Sequence, residues 1–185
     1  MTGDESYMEQ KAWEFAKANR TAIARRLTDP TKYPGEDEPV SVFMAGSPGA
    51  GKTEASIELL KQFEADSPVL RIDPDELRAE FTEYTGENAW VFQRAVTVLI
   101  ERIHDLALKQ RQSFLLDGTL SNFNVAERNV QRSLNKGRTV QILYVYQEPQ
   151  SAWKFVQARE SKKAGASSQS TLSNSISQHG KWFAS

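Results

Sequence analysis

Apolar positions along this chain follow two periods that alternate. Over residues 5–27 they recur at Met8, Ala12, Phe15 and Ala16, then at Ala22 or Ile23 and Leu27, which is one side of a helix. Thr28-Asp29-Pro30 ends that helix, and residues 28–39, with three prolines, a glycine and several acids, read as a connector. Val40-Ser41-Val42-Phe43-Met44-Ala45 has strand character, and residues 54–63 return to helical spacing. Asp66-Ser67-Pro68 is a turn before a second strand, Val69-Leu70-Arg71-Ile72-Asp73. Residues 79–89 are irregular. A long helix then spans about 89–110, with a core face of Val91, Ala95, Val98, Leu99, Ile103 and Leu106. Trp90 and Phe92 are assigned to that core, with a substrate wall as the alternative. Ser113-Phe114-Leu115-Leu116-Asp117 is a third strand. Residues 124–136 form a helix closed by Lys136-Gly137, and Thr139–Tyr146 is a fourth strand. Glu148-Pro149 opens a last helix, about 149–161, containing Trp153, Phe155, Val156 and Arg159.

Strands that alternate with helices predict an α/β protein: a parallel sheet, flanked by helices, with right-handed crossovers. Spacing does not reveal the strand order, and no fifth strand is visible. Beyond Lys163 the chain turns small and polar, so residues 1–163 are expected to form one domain with its N-terminal helix, and 164–185 a polar tail. Trp182 and Phe183 give that tail a means of docking back.

Between the first strand and its helix lies Gly46-Ser47-Pro48-Gly49-Ala50-Gly51-Lys52-Thr53, the full G-x-x-x-x-G-K-[ST] phosphate-binding loop in its strand–helix context. Glycines at 46, 49 and 51 let backbone N–H groups curl inward onto phosphate oxygens. The helix start adds free N–H groups and a positive dipole end. Lys52 reaches the β- and γ-phosphates, and Thr53 offers a hydroxyl to Mg²⁺. The sheet is therefore expected to be of the P-loop NTPase type, with ATP and Mg²⁺ as cofactors.

Acids stand where such a site needs them. In open α/β sheets, ligands collect at the carboxyl ends of strands. Asp73 and Asp75 follow the second strand, where each serves either the site or the start of the next helix as an N-cap. Asp117 ends the third strand, in the manner of a carboxylate that holds Mg²⁺, and the alternative is a strand-end Asp-Gly turn. Glu101 lies on the long helix, where a lone acid is ordinarily solvated. A kinase must deprotonate its acceptor hydroxyl, and Asp75 is the best candidate base. Arg159, on a helix beyond the fourth strand, is placed to act as a lid arginine. No Asn-Lys-x-Asp guanine signature is present, which argues against a switch GTPase.

Composition removes other classes. The 185 residues carry 23 Lys and Arg against 24 Asp and Glu, a net charge of −1, so no broad field attracts nucleic acid or an anionic membrane. Arg20, Arg25 and Arg26 read as a solvated helix face. With no cysteine there are no disulfides or thiolate metal sites, which fits a reducing, cytoplasmic setting. No apolar run reaches transmembrane length. His104 and His179 are too few and too scattered for a metal site.

Four segments together resemble the zeta toxin family, the P-loop kinases of bacterial toxin–antitoxin systems. These are Met44 to Glu54, Ile72-Asp73-Pro74-Asp75-Glu76-Leu77-Arg78, Leu116-Asp117-Gly118-Thr119 and Ala158-Arg159-Glu160. The resemblance covers residues 38–161, and the joint spacing is more specific than the phosphate loop alone. It implies ATP-dependent phosphorylation of UDP-N-acetylglucosamine, or a related UDP-sugar, on the 3′-hydroxyl of the amino sugar. That would deplete a cell-wall precursor. It implies that Lys52 and Thr53 hold ATP and Mg²⁺ and that Asp75 is the catalytic base, with Arg78 beside it. Glu101 would lie near the sugar, Thr119 would contact substrate and Arg159 would be the first lid arginine. A small helical antitoxin is the implied partner. The chain departs from the family pattern after Arg159, its last arginine: Ser161 to Ser173 holds no second lid arginine. Two other readings therefore stand beside the first: a P-loop kinase for another metabolite, and a nucleotide- or antitoxin-binding member without catalysis.

Overall fold

The computed structural model describes residues 3–46, 51–63, 68–118 and 122–146, the side chains of 62 and 63 excepted. The helix expected at 149–161 and the tail from 164 lie outside these residues. So do Ser47, Pro48, Gly49, Ala50, Thr119 and Arg159. The chain divides into two compact units, residues 1–46 with 52–144, and residues 47–51 with 145–185. Of the second unit only Gly51, Val145 and Tyr146 are described.

Helix α1, Gly3–Leu27, opens the chain. Asp4 and Glu5 in its first turn, and Arg25 and Arg26 in its last, complement the helix dipole. Ala12, Ala16, Ile23 and Ala24 are its buried residues, so a stripe of mostly small side chains brings α1 close to helix α4, Gln93–Lys109. Phe15, expected on the same stripe, is at its margin and half exposed, and its ring meets Phe81 edge-on with centroids 5.7 Å apart. Arg20, Arg25 and Arg26 are exposed, as expected. Thr28 ends α1 by donating its hydroxyl to Ala24 O at 2.8 Å. The connector is then tied down by Gln112, which donates to Thr28 O at 3.0 Å and to Tyr33 O at 2.6 Å.

The sheet contains β1 (Val40–Gly46), β2 (Leu70–Ile72), β3 (Phe114–Asp117) and β4 (Thr139–Val145), in the order β2-β3-β1-β4. It is parallel, as the alternation of strands and helices predicts. β1 and β3 occupy the centre, and their apolar runs, Val42-Phe43-Met44 and Phe114-Leu115-Leu116, are buried on both faces. The edge strand β4 leaves Ile142 and Tyr144 exposed. Strand alternation sends Phe43, Phe114, Leu116, Leu70 and Ile72 into one core with α1 and α4. Val42, Met44 and Leu115 face the other way, where helix α2, Lys52–Phe63, packs on β1 and β3.

The long helix starts differently from expectation. Residues Ala89–Phe92 form a 3-10 turn, and α4 proper begins at Gln93. The tighter winding buries Val91 and Phe92 but turns Trp90 outward, 58 % exposed. The assignment of Trp90 to the core is thus corrected, whereas Phe92 belongs there. Ala95, Leu99 and Ile103 are buried, and Val98 and Leu106 pack at the margin. Two shorter α-helices, α3, Pro74–Leu77, and α5, Phe123–Leu134, and a 3-10 turn at Arg78–Glu80 complete the described helical segments. None of the described helices is long and apolar enough to cross a membrane.

Candidate active site

β1 ends at Gly46 and α2 begins at Lys52, so this strand–helix pair frames the phosphate loop. Gly46 has φ 154° and Gly51 φ 79°, conformations that L side chains rarely adopt, which explains glycine at both flanks of the loop. Lys52 folds back over the strand end and donates from Nζ to Gly46 O at 2.7 Å. Thr53 occupies the next position of α2.

The sheet register brings the acids to the same end. Met44 of β1 pairs with Asp117 of β3, and Ile72 of β2 pairs with Leu116. The carboxyl ends of β2, β3 and β1 therefore lie level, and Asp73, one residue past Ile72, comes beside Asp117. Pleat alternation puts Asp117 on the same face as Met44, toward α2, and Arg71 beside Leu115 on that face too.

Asp117 is 6 % exposed, and its Oδ1 has no hydrogen-bond partner among the described residues. Burial, then the negative charge of Asp73, push its carboxyl above the usual range, while Arg71 and Lys52 oppose the shift. The strand-end turn is also present: Gly118, at φ 72°, donates to Met44 O at 3.1 Å. That turn explains the glycine but not a buried carboxylate with an open oxygen. A hydroxyl from Thr53 and a carboxylate from Asp117 are the hard oxygen donors that suit Mg²⁺, which takes one or two protein ligands and completes its shell with phosphates and water. Among the described residues no group of three or more acids or histidines could hold a metal ion alone.

Asp73 is nearly buried and caps α3, accepting from Asp75 N at 2.8 Å. The capping role is therefore real, and the same carboxylate contributes to the charge felt by Asp117. Asp75 differs: its side chain is 80 % exposed and pairs with the buried guanidinium of Arg78. Arg78 also donates to Gln93 Oε1 at 3.1 Å, so the first turn of α4 steadies the residue that holds Asp75. Glu101 is eight residues further along α4, about 12 Å by helical rise. Its carboxylate is paired with Arg128 of α5 at 3.2 Å.

One site residue escaped the reading of the sequence. Arg71 lies mid-strand in β2 with a side chain only 12 % exposed. It donates to Ser56 Oγ of α2 at 3.1 Å, to Asp73 at 2.5 Å and to Glu76, and its Nη2 stands 3.8 Å from Asp117 Oδ2. This guanidinium joins α2, β2, α3 and β3 at the site. Its signal was an arginine between Leu70 and Ile72, a charge inside a short apolar strand.

Among curated proteins, Toxin PezT of Streptococcus pneumoniae serotype 4 is 26 % identical over 140 residues, which cover 71 % of this chain and 54 % of PezT. The chain thus spans about half the length of that relative. A solved structure from the PezAT chromosomal toxin–antitoxin system of Streptococcus pneumoniae superposes with a TM-score of 0.70 at 21 % identity. It covers 90 % of this chain and 67 % of that one, a likeness of fold. The family model for zeta toxin matches residues 24–178, which include the phosphate loop, the Asp75 segment, the Asp117 strand and Arg159. The chain belongs to the zeta toxin family.

Proposed function

We propose that the chain is an ATP-dependent kinase of the zeta toxin type, acting on the 3′-hydroxyl of UDP-N-acetylglucosamine or a related UDP-sugar. The observation that carries the phosphotransfer reading is Asp117: a buried carboxylate with an unpartnered oxygen, on the strand beside the one that leads into the phosphate loop. Lys52 and Thr53 at the start of α2 supply the cation and hydroxyl that phosphates and Mg²⁺ require. Bound there, Mg²⁺ would neutralise charge on the phosphate oxygens.

Asp75 acts as the general base. It accepts the proton of the acceptor hydroxyl as that oxygen forms its bond to the γ-phosphorus, and the bond to the bridging oxygen of ADP breaks. Its exposed carboxylate is open to a substrate, and the ion pair to Arg78 holds its position. Thr119 contacts substrate, Arg159 supplies lid charge, and Glu101 would turn from Arg128 toward the sugar. The acceptor and a small helical antitoxin partner are proposed on family grounds. A second reading, binding without transfer, is favoured by one observation: the stretch Ser161 to Ser173 beyond Arg159 holds no second arginine.

The test is a transfer assay with ATP, Mg²⁺ and a panel of UDP-sugars and nucleotides, read by mass spectrometry. A phosphorylated UDP-sugar is expected, reduced at least a hundredfold in both Lys52→Ala and Asp75→Ala. Nucleotide binding should survive in Asp75→Ala. No product despite ATP binding would leave the binding-only reading, and a different phosphorylated acceptor would overturn the substrate.

A further inference from the structure

A second cationic feature lies away from the carboxyl ends of the strands. A cavity of about 860 Å³ is lined by Arg102, Lys109, Arg111, Arg132, Lys136 and Arg138, with Asp105 as the one acid among the described residues that line it. Six of the chain's 23 cations thus line one cavity of a protein whose net charge is −1. Pro39, before β1, and Arg138, before β4, place it at the amino ends of the strands. The phosphate loop is at the carboxyl end of β1.

Helix-end electrostatics explain only part of this cluster. Lys109 and Arg132 lie in the last turns of α4 and α5, where a cation offsets the dipole. Arg102 is mid-helix, and Arg138 and Arg111 belong to neither helix. Arg138 is 5 % exposed and held by Ser41 Oγ at 2.7 Å, Gln112 O at 2.5 Å and Val40 O at 3.1 Å. These bonds fix the guanidinium yet leave Nη1 with no partner among the described residues. Arg111 is the one described non-glycine residue at positive φ, 57°, and its guanidinium donates to the carbonyls of Glu36 and Asp37. Arg132 is shared between Asp105 and His104. Lys109 and Lys136, both exposed, have no ion-pair partner among the described residues.

We infer that this cavity is a second anion site, for the oligophosphate group of a small molecule. Fixed guanidinium groups match phosphate oxygens in geometry and charge. The volume is that of a small-ligand pocket. Among the described residues no aromatic side chain lines it, so they offer a nucleobase no stacking platform of the kind single-stranded nucleic acid uses.

Calorimetry with sodium tripolyphosphate, on the full chain without Mg²⁺, tests this. Wild type, Lys52→Ala and each combined with Lys109→Glu/Lys136→Glu would be titrated at two salt concentrations. The charge-reversed pair is expected to remove one binding equivalent, or weaken it at least tenfold, in both backgrounds. An unchanged isotherm overturns the site. Circular dichroism checks the fold. If the reversal unfolds the chain, the milder Lys109→Gln/Lys136→Gln decides, with weakening of threefold or more expected and none overturning the site. Fluorescence anisotropy with a labelled single-stranded oligonucleotide is the competing arm. Tighter, Lys109- and Lys136-dependent binding of the oligonucleotide would overturn the small-molecule assignment.

Discussion

At the level of single residues, Arg71 and Asp117 pull stability in opposite directions. Arg71 is a nearly buried cation whose charge is met by Asp73 and Glu76, with Asp117 close by. Removing one partner of a buried ion pair leaves the other uncompensated and costs about 3–5 kcal/mol. Arg71→Leu should therefore lower Tm by roughly 10 °C or more, and Arg71→Lys by less. A melt that matches wild type would show that the acids need no such counter-ion. Asp117 is the reverse case, because burial and Asp73 already disfavour its charged form. Its carboxyl is held above the unfolded value, so the folded state loses stability as pH rises through that interval. Asp117→Asn should raise Tm by a few degrees at pH 7, at about 2–4 °C per kcal/mol, while eliminating the proposed Mg²⁺-dependent transfer. A lower Tm would mean that the carboxylate supports the fold rather than the proposed metal.

At the level of elements, α1 is held by small residues. Ala16 and Ala24 are fully buried where α1 lies on α4 and on the 3-10 turn before it. Small side chains allow that approach, so added bulk must push the helices apart. Ala16→Leu should cost about 1–3 kcal/mol in chemical denaturation, despite its better hydrophobicity. Unchanged stability would show a loose α1–α4 contact. The same packing matters to the site, because the first residue of α4, Gln93, accepts from the Arg78 that holds Asp75. Loosening α4 is therefore expected to affect the proposed transfer as well as stability.

For the whole molecule, the buried imidazole His104 sets an acid limit. It sits among Phe43, Phe114 and Arg132, and its pKa is lowered to about 3 by burial, then by the charges of Arg132 and Arg138. The unfolded imidazole, near 6.5, takes up a proton that the folded one refuses. Stability should therefore fall as pH drops from about 6.5 to about 3, by up to about 1.4 kcal/mol per pH unit from this group. The stability of wild type relative to His104→Leu should fall as pH drops through that window. A pH-independent difference would mean that the folded imidazole titrates at its unfolded value, so that burial does not lower its pKa.

Local pattern determined much of this protein. The strand–helix context of Lys52, the helix start at Asp73-Pro74 and the strand-end position of Asp117 are decided by neighbours in sequence, so spacing and turn chemistry revealed them. The parallel α/β class followed for the same reason. Contacts between distant segments did not announce themselves. The order β2-β3-β1-β4 depends on which crossovers pack together, and it alone brings Asp73 beside Asp117 with Arg71 against both. Trp90 was misplaced because a 3-10 turn changes the angular phase that helical spacing assumes. The cationic cavity was equally hidden: Arg102, Arg111 and Arg138 are scattered in sequence and converge only when the amino ends of the strands and the far ends of α4 and α5 meet. Tertiary structure decides such features because charge and burial act through space, over distances that no sequence interval records.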